Sequence, residues 1–187
     1  MTPIIINGKI CEIVGSAVDV TAYKLLQKKL TDQANKDFLT GLANRHYLYK
    51  YLSDLTQNDK AFGIVFIDLN DFKEINDSYG HATGDELLIA ISKRLKALDI
   101  DVLFISRLGG DEFAAIIPFS KQNTYQSVMR LIKGIFSKPF MIQGNHLEVD
   151  DAIGCAKYPE DGKVFETLLS SADQAMYENK NTMKNNG

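Results

Sequence analysis

Arg107-Leu108-Gly109-Gly110-Asp111-Glu112-Phe113 lies between two apolar runs, Val102 to Ile105 and Ala114 to Ile117. Two such runs joined by Gly-Gly read as a β-hairpin, because glycine reaches the positive φ values that tight hairpin turns demand. This hairpin carries acids at its tip. A third acid, Asp68, ends another apolar run, Ile64-Val65-Phe66-Ile67, within the segment Ala61 to Leu69. So continuous an apolar segment suits a strand buried on both faces at the centre of a sheet. If the two strands pair, their acids meet.

Working outward, Asn70 to Glu86 leaves the strand through a short helical turn around Phe72 and Ile75, ended by Gly80. Thr83 and Glu86 are spaced as a capping box for a longer helix with Leu87, Leu88, Ile91, Leu95 and Leu98 inward. Beyond the hairpin, Tyr125 to Phe136 reads as a helix, Leu147 to Ala156 as strand, Lys157 to Gly162 as a loop and Phe165 to Lys180 as a closing helix. This order predicts an α+β fold, a central antiparallel sheet flanked by helices. Toward the N-terminus, Ile4 to Gly15 has the pattern of a second hairpin turning at Asn7-Gly8. Between about Thr21 and Lys36, Tyr23, Leu26, Leu30 and Gln33 alternate at spacings of three and four. That stripe suits a coiled-coil signalling helix or a single amphipathic linker. Asp37 to Arg45 follows as an inter-helix turn, with Asn44 as N-cap of the next helix.

A length of 187 residues allows one ordinary domain with an appendage. The net charge of −3 provides no general basic field, which argues against nucleic acid as a partner and requires any nucleotide to be held locally. Cys11 and Cys155 show no metal-ligand spacing and favour reduced thiols in a cytoplasmic setting. No apolar run approaches the length of a membrane span, so no membrane contact is expected of this chain itself. Tethering of a parent protein is left open.

Gly109 to Phe113 reads GGDEF. Together with Asp37-Phe38-Leu39-Thr40-Gly41-Leu42-Ala43-Asn44-Arg45 and the run Asp68 to Asp85, it resembles the GGDEF-domain diguanylate cyclases from about Asp37 onward. The resemblance implies a ferredoxin-like nucleotidyl-cyclase palm. It also implies condensation of two GTP molecules into cyclic di-GMP plus two pyrophosphates at the interface of a homodimer. Asp19 to Lys24 resembles the exit of a PAS sensor domain. The expected organisation is therefore a PAS-like remnant over 1–20, a linker helix over 21–36 and a GGDEF domain over 37–187. An upstream sensor and a downstream phosphodiesterase domain are expected in the parent chain. The alternative is a weak or inactive GTP-binding module that regulates such a phosphodiesterase.

The chemistry fits the residues. Joining a 3′-oxygen to an α-phosphorus needs a hard cation, Mg²⁺ or Mn²⁺, held by oxygen ligands. The resemblance makes Asp68 and Asp111 the metal acids, and Glu112 either a further ligand or the group that deprotonates the 3′-hydroxyl. Asn70 stands where many members carry another Asp. Asn76 and Asp85 match the guanine-recognition pair, since a carboxylate can accept from N1–H and the 2-amino group together. Alternatively, Asp85 complements a helix dipole and Asn76 caps a turn. Backbone amides at Asp71, Phe72 and Lys73 would meet phosphates, with Lys73 itself equally readable as a solvated helix lysine. Lys180 and Lys184 match the family's basic pair, the second often being Arg, whose planar fork a lysine lacks. His81 reads as a hydrogen-bonded structural histidine. The family's inhibitory Arg-x-x-Asp is replaced by Ile100-Asp101-Val102-Leu103, so no inhibitory site is expected.

Overall fold

A computed structural model describes residues 2–6, 9–14, 18–57, 61–98, 104–118 and 125–184. The chain divides into two compact units, residues 1–33 and 34–187. In the first, β1 (Thr2–Ile6) pairs antiparallel with β2 (Lys9–Val14), with an irregularity between Ile4 and Ile5. The Asn7-Gly8 turn lies outside the described residues. Helix α1 (Thr21–Asn35) starts where the Thr21 amide donates to Asp19 Oδ1 at 2.8 Å. Tyr23, Leu26 and Leu30 are all exposed, so the apolar stripe is unburied within this chain.

The second unit continues with β3 (Ala43–Asn44), α2 (Arg45–Thr56), β4 (Phe62–Leu69), α3 (Phe72–Tyr79), α4 (His81–Lys96), β5 (Phe104–Gly109) and β6 (Glu112–Pro118). It closes with α5 (Tyr125–Phe136), β7 (Phe140–Ile142), β8 (Asn145–Leu147), β9 (Asp151–Tyr158) and α6 (Phe165–Lys184). The main sheet has the order β3-β5-β6-β4-β9. The strand expected at the centre of the sheet, β4, pairs antiparallel on one side with β6 and on the other with β9.

Alternation along β4 sends side chains into two cores. Val65, Ile67 and Leu69 join Phe113, Ala115 and Ile117 beneath Leu87, Ile91 and Leu95 of α4 and Val128 and Ile132 of α5. On the opposite face, Phe62, Ile64 and Phe66 join Ala114 and Ile116 against Leu48 and Leu52 of α2 and Leu168 and Ala172 of α6. Fully burying side chains of this size contributes about 1.5–3 kcal/mol each. The strand is thus held at the middle of the sheet by both layers. Helix α6 lies close upon β9 at Gly154, where a Cβ would overlap the Ala172 carbonyl and the Met176 amide.

Three local features differ from expectation. Residues Ala43 and Asn44, read as part of a turn, add a short parallel edge to β5, so the sheet is mostly rather than wholly antiparallel. A small separate hairpin, β7–β8, precedes the last strand. The capping box does not form: α4 begins three residues earlier, at His81, with Gly80 in place of Thr83 as its N-cap. The Thr83 hydroxyl instead donates to the Tyr79 carbonyl at 2.9 Å, and Glu86 accepts from Gln143 Nε2 at 2.8 Å. The Gly80 turn starts the helix earlier than side-chain capping would.

Candidate functional site

The two cores also fix where the acids point. Asp68 follows Ile64 and Phe66 in the alternation of β4, and Glu112 precedes Ala114 and Ile116 in that of β6. Both therefore belong to the face covered by α2 and α6. The last pair in the β4–β6 register is Ile67 with Phe113, making Asp68 and Glu112 the next residues along their strands. Opposed residues of an antiparallel ladder carry Cβ atoms about 5 Å apart. Asp68, Asp111 and Glu112 are each half-buried, at the end of the sheet where the β5–β6 turn lies. In that turn Gly110 has φ 52, a conformation costly for any residue with a Cβ.

Two arginines brace this hairpin. Arg107 donates from Nε and Nη2 to the Gly110 carbonyl at 3.0 and 2.8 Å, and from Nη1 to Asp37 Oδ1 at 3.0 Å. Asp37 Oδ1 accepts in addition from the Thr40 amide and hydroxyl at 2.9 and 2.7 Å. Burial raises the Asp37 carboxyl, but the Thr40 donors and the Arg107 guanidinium outweigh it and hold the group below the usual carboxylate range. Arg45, the first residue of α2, donates from Nε to the Leu108 carbonyl at 3.2 Å and from Nη2 to Glu112 Oε2 at 3.1 Å. Its neighbour Asn44 caps α2 through the Tyr47 amide and donates to the Ala34 carbonyl. The segment Asp37 to Arg45 thus does more than the inter-helix turn expected of it. Between α2, the hairpin and α6 lies a groove of about 420 Å³, lined by Arg45, Tyr49, Phe66, Leu108, Glu112 and Asp173 among others.

Of the residues expected to read guanine, Asn76 lies where α3 packs on α4. Asn76 is half-buried, and its Oδ1 lies so close to Gly84 that a Cβ there would overlap it; Phe72 Cζ closes the same space at 3.2 Å. Asp85 follows Gly84 and is exposed, as is His81, which starts α4. Asp71 adopts a left-handed conformation, φ 55 and ψ 25, with no side-chain cap. Asp71, Phe72 and Lys73 therefore turn the chain from β4 into α3, where the first amides of a helix lack intrahelical acceptors. Lys180 and Lys184 lie on the last turns of α6, and their side chains fall outside the described residues. The preceding Asn179 donates to the Ile153 carbonyl at 2.6 Å. That anchors this part of α6 one residue from Ala152, the register partner of Asp68. Ile100 to Leu103, where no inhibitory motif is expected, are outside the described residues.

Among the described residues, no group of three or more His, Cys, Asp or Glu side chains is placed to hold a metal by itself. Mg²⁺ commonly takes one or two protein carboxylates and completes its shell with substrate phosphates and water. The carboxylates at this end of the sheet fit a cation that arrives with a triphosphate.

On the other side of β4 the polar groups are less well matched. Asn70 Oδ1 and Asp151 Oδ2 are buried without a hydrogen-bond partner. Burial pushes the Asp151 carboxyl up to about 6, with Asp150 adding to the rise and Lys133 opposing it. Asn70, Asp71, Glu74, Glu148 and Asp150 line an adjacent cavity of about 330 Å³. Cys155 is a free thiol that burial pushes up to about 12, with Asp161 adding to the shift, as suits a packing residue. No helix among the described residues is long and apolar enough to cross a membrane.

A mixed α/β domain with acids gathered at a Gly-Gly hairpin beside the central strand defines the class as a nucleotidyl-cyclase-like palm. Residues 34–186 match the family described as "Diguanylate cyclase, GGDEF domain", and the chain belongs to that family. It is 35% identical over 98% of its length to the signaling protein YkoW of Bacillus subtilis. It is 34% identical over 91% of its length to MucR of Pseudomonas aeruginosa, a bifunctional diguanylate cyclase/cyclic di-GMP phosphodiesterase. The chain spans about a quarter of these relatives, 24% and 25%. Among solved structures, the GGDEF domain of TpbB from Pseudomonas aeruginosa superposes with a TM-score of 0.71 at 34% identity, covering 79% of this chain and 89% of that one.

Proposed function

We propose that this chain is an active diguanylate cyclase domain, which uses Mg²⁺ or Mn²⁺ to join two GTP molecules into cyclic di-GMP. In each of two steps a GTP 3′-oxygen forms a bond to the α-phosphorus of the other GTP, the bond to the β-phosphate oxygen breaks, and pyrophosphate leaves. The 3′-hydroxyl gives up its proton. Asp68 and Asp111 would hold the cation, which would activate the nucleophile and offset charge on the departing pyrophosphate. Glu112 would either add a further ligand or receive the proton. The observation that carries this reading is the shared face and adjacent register of Asp68 and Glu112, beside Asp111 at the hairpin turn.

In this reading, Asn76 and Asp85 hold the guanine edge, the Asp71 to Lys73 amides meet the β- and γ-phosphates, and Lys180 and Lys184 add charge from α6. Each domain binds one GTP, so turnover requires two copies face to face, and the exposed stripe on α1 raises their effective concentration. The 1–20 segment is read as the end of a PAS-like sensor and 21–36 as the connector that transmits its signal. A second reading, a GTP-binding module that controls a linked phosphodiesterase, draws support from relatives named only as cyclic di-GMP phosphodiesterases. Incubation with GTP and Mg²⁺ over a range of protein concentrations, with products resolved by chromatography, separates the two. Cyclic di-GMP rising more than linearly with protein supports the dimeric cyclase; GTP binding with no product supports the module.

A further inference from the structure

At the hairpin, the Glu112 carboxylate is held by a side chain from outside the sheet. Arg45 reaches it from the start of α2 and uses two different nitrogens on the two sides of the turn: Nε on the Leu108 carbonyl before Gly-Gly, and Nη2 on Glu112 Oε2 after it. The guanidinium is therefore oriented by the backbone before it meets the acid. A planar fork tied at one edge presents its other donor in a fixed direction.

Fold stability is a poor explanation for this contact. The side chains are 52% and 41% exposed, and ion pairs in that setting contribute about 0–1 kcal/mol. The Asp37–Arg107 pair, at 14% and 10% exposure, already ties the same hairpin to the chain entering the domain. A second and weaker tie is redundant for holding the turn. What it does uniquely is fix one carboxylate.

We propose that Arg45 is a positioning residue for Glu112: it occupies Oε2 and so turns Oε1 toward the acids of the reaction site as the oxygen available to the cation or the nucleophile's proton. This rests on the cyclase reading for the identity of the nucleotide. The role is that of an outer partner orienting a carboxylate ligand, where substitution typically costs about 10- to 100-fold in metal affinity or activity. The groove of about 420 Å³ bordered by Arg45, Tyr49 and Asp173 gives the guanidinium room to leave Glu112, so the restraint is removable. Asn44 also ties the base of α2 to the Ala34 carbonyl of the incoming chain, which links the restraint to the segment through which that chain enters.

The test uses the full chain as wild type, Arg45→Gln and Arg45→Lys. Free Mn²⁺ is titrated by electron paramagnetic resonance in the presence of a GTP analogue with a non-cleavable α,β bridge. Analogue affinity without metal, Tm, and kcat and KM for GTP are measured on the same proteins. Arg45→Gln is expected to raise half-saturating Mn²⁺ about ten-fold and lower kcat similarly, with Tm and metal-free analogue affinity unchanged. Arg45→Lys, which restores a charge without the fork, should recover part of the loss. Unchanged Mn²⁺ half-saturation in Arg45→Gln overturns the proposal. So does a loss of Tm and metal-free affinity in both variants, which would make the contact structural. If the wild type binds Mn²⁺ and analogue but forms no product, the cyclase reading fails while the metal titration still decides the role of Arg45.

Discussion

Two groups of polar residues flank the same end of the central strand, and they are held in opposite ways. On the hairpin side, Asp37 and Glu112 each meet an arginine, and both arginines also bind the hairpin backbone. On the β9 side, Asn70 and Asp151 each bury an oxygen without a partner, and burial raises the Asp151 carboxyl. The first arrangement aims its acids and holds Asp37 below the usual carboxylate range; the second favours a neutral Asp151. Proximity to a sheet end therefore does not make an acid functional. What distinguishes the hairpin side is a set of donors that makes negative charge inexpensive where a cation and triphosphate are expected to arrive.

Substitutions can break this contrast. The largest effect is expected from Glu112→Gln, which keeps shape and removes charge: cyclic di-GMP synthesis should fall by about 10²–10⁴-fold in steady-state assays, with Tm little changed. Next is Asp37→Ala, which strands the mostly buried Arg107. Breaking such a pair costs on the order of 3 kcal/mol, readable in denaturant melts, and should loosen the hairpin enough to lower activity as well.

A smaller and more selective effect is expected from Gly84→Ala. The added methyl displaces the Asn76 side chain, so KM for GTP should rise about ten-fold while ATP, with a different edge, gains no advantage. The smallest effect is on the β9 side. Asp151 titrates at 3.8 unfolded and about 6 folded, so between these values the folded chain keeps a proton that the unfolded chain has released. Stability consequently falls as pH rises through that window, and the full cost is present above it. Asp151→Asn should stabilise the protein at pH 7.5 by on the order of 1 kcal/mol, allowing for solvent screening of a partly exposed group. The difference should vanish below about pH 4 in thermal melts.

Much of this arrangement was legible from residue patterns. The buried run Ile64 to Ile67 and the apolar segments around Gly109-Gly110 placed the central strand and its hairpin neighbour, because alternation and turn chemistry are local. Short elements were harder. Ala43-Asn44 become a strand only because β5 offers a parallel edge, and nothing in two residues announces that. Thr83 and Glu86 have capping-box spacing, yet the preceding Gly80 and the neighbouring Gln143 claim those roles instead. At the site, Asp68, Asp111 and Glu112 stood out as acids at element ends, and Asn76 and Asp85 through the resemblance to the family's guanine-recognition pair. Arg45 and Asp37 did not, since their partners lie more than sixty residues away and only the folded register brings them together.

The central claim is that the hairpin side of the sheet end is where GTP is converted. Its most direct test is a side-by-side assay of wild type, Glu112→Gln and Asp151→Asn with GTP and Mg²⁺ at equal, high protein concentration, quantifying cyclic di-GMP by chromatography. The account predicts abundant product from the wild type and Asp151→Asn and almost none from Glu112→Gln, with all three proteins folded. Wild-type product that survives Glu112→Gln but disappears in Asp151→Asn would contradict it.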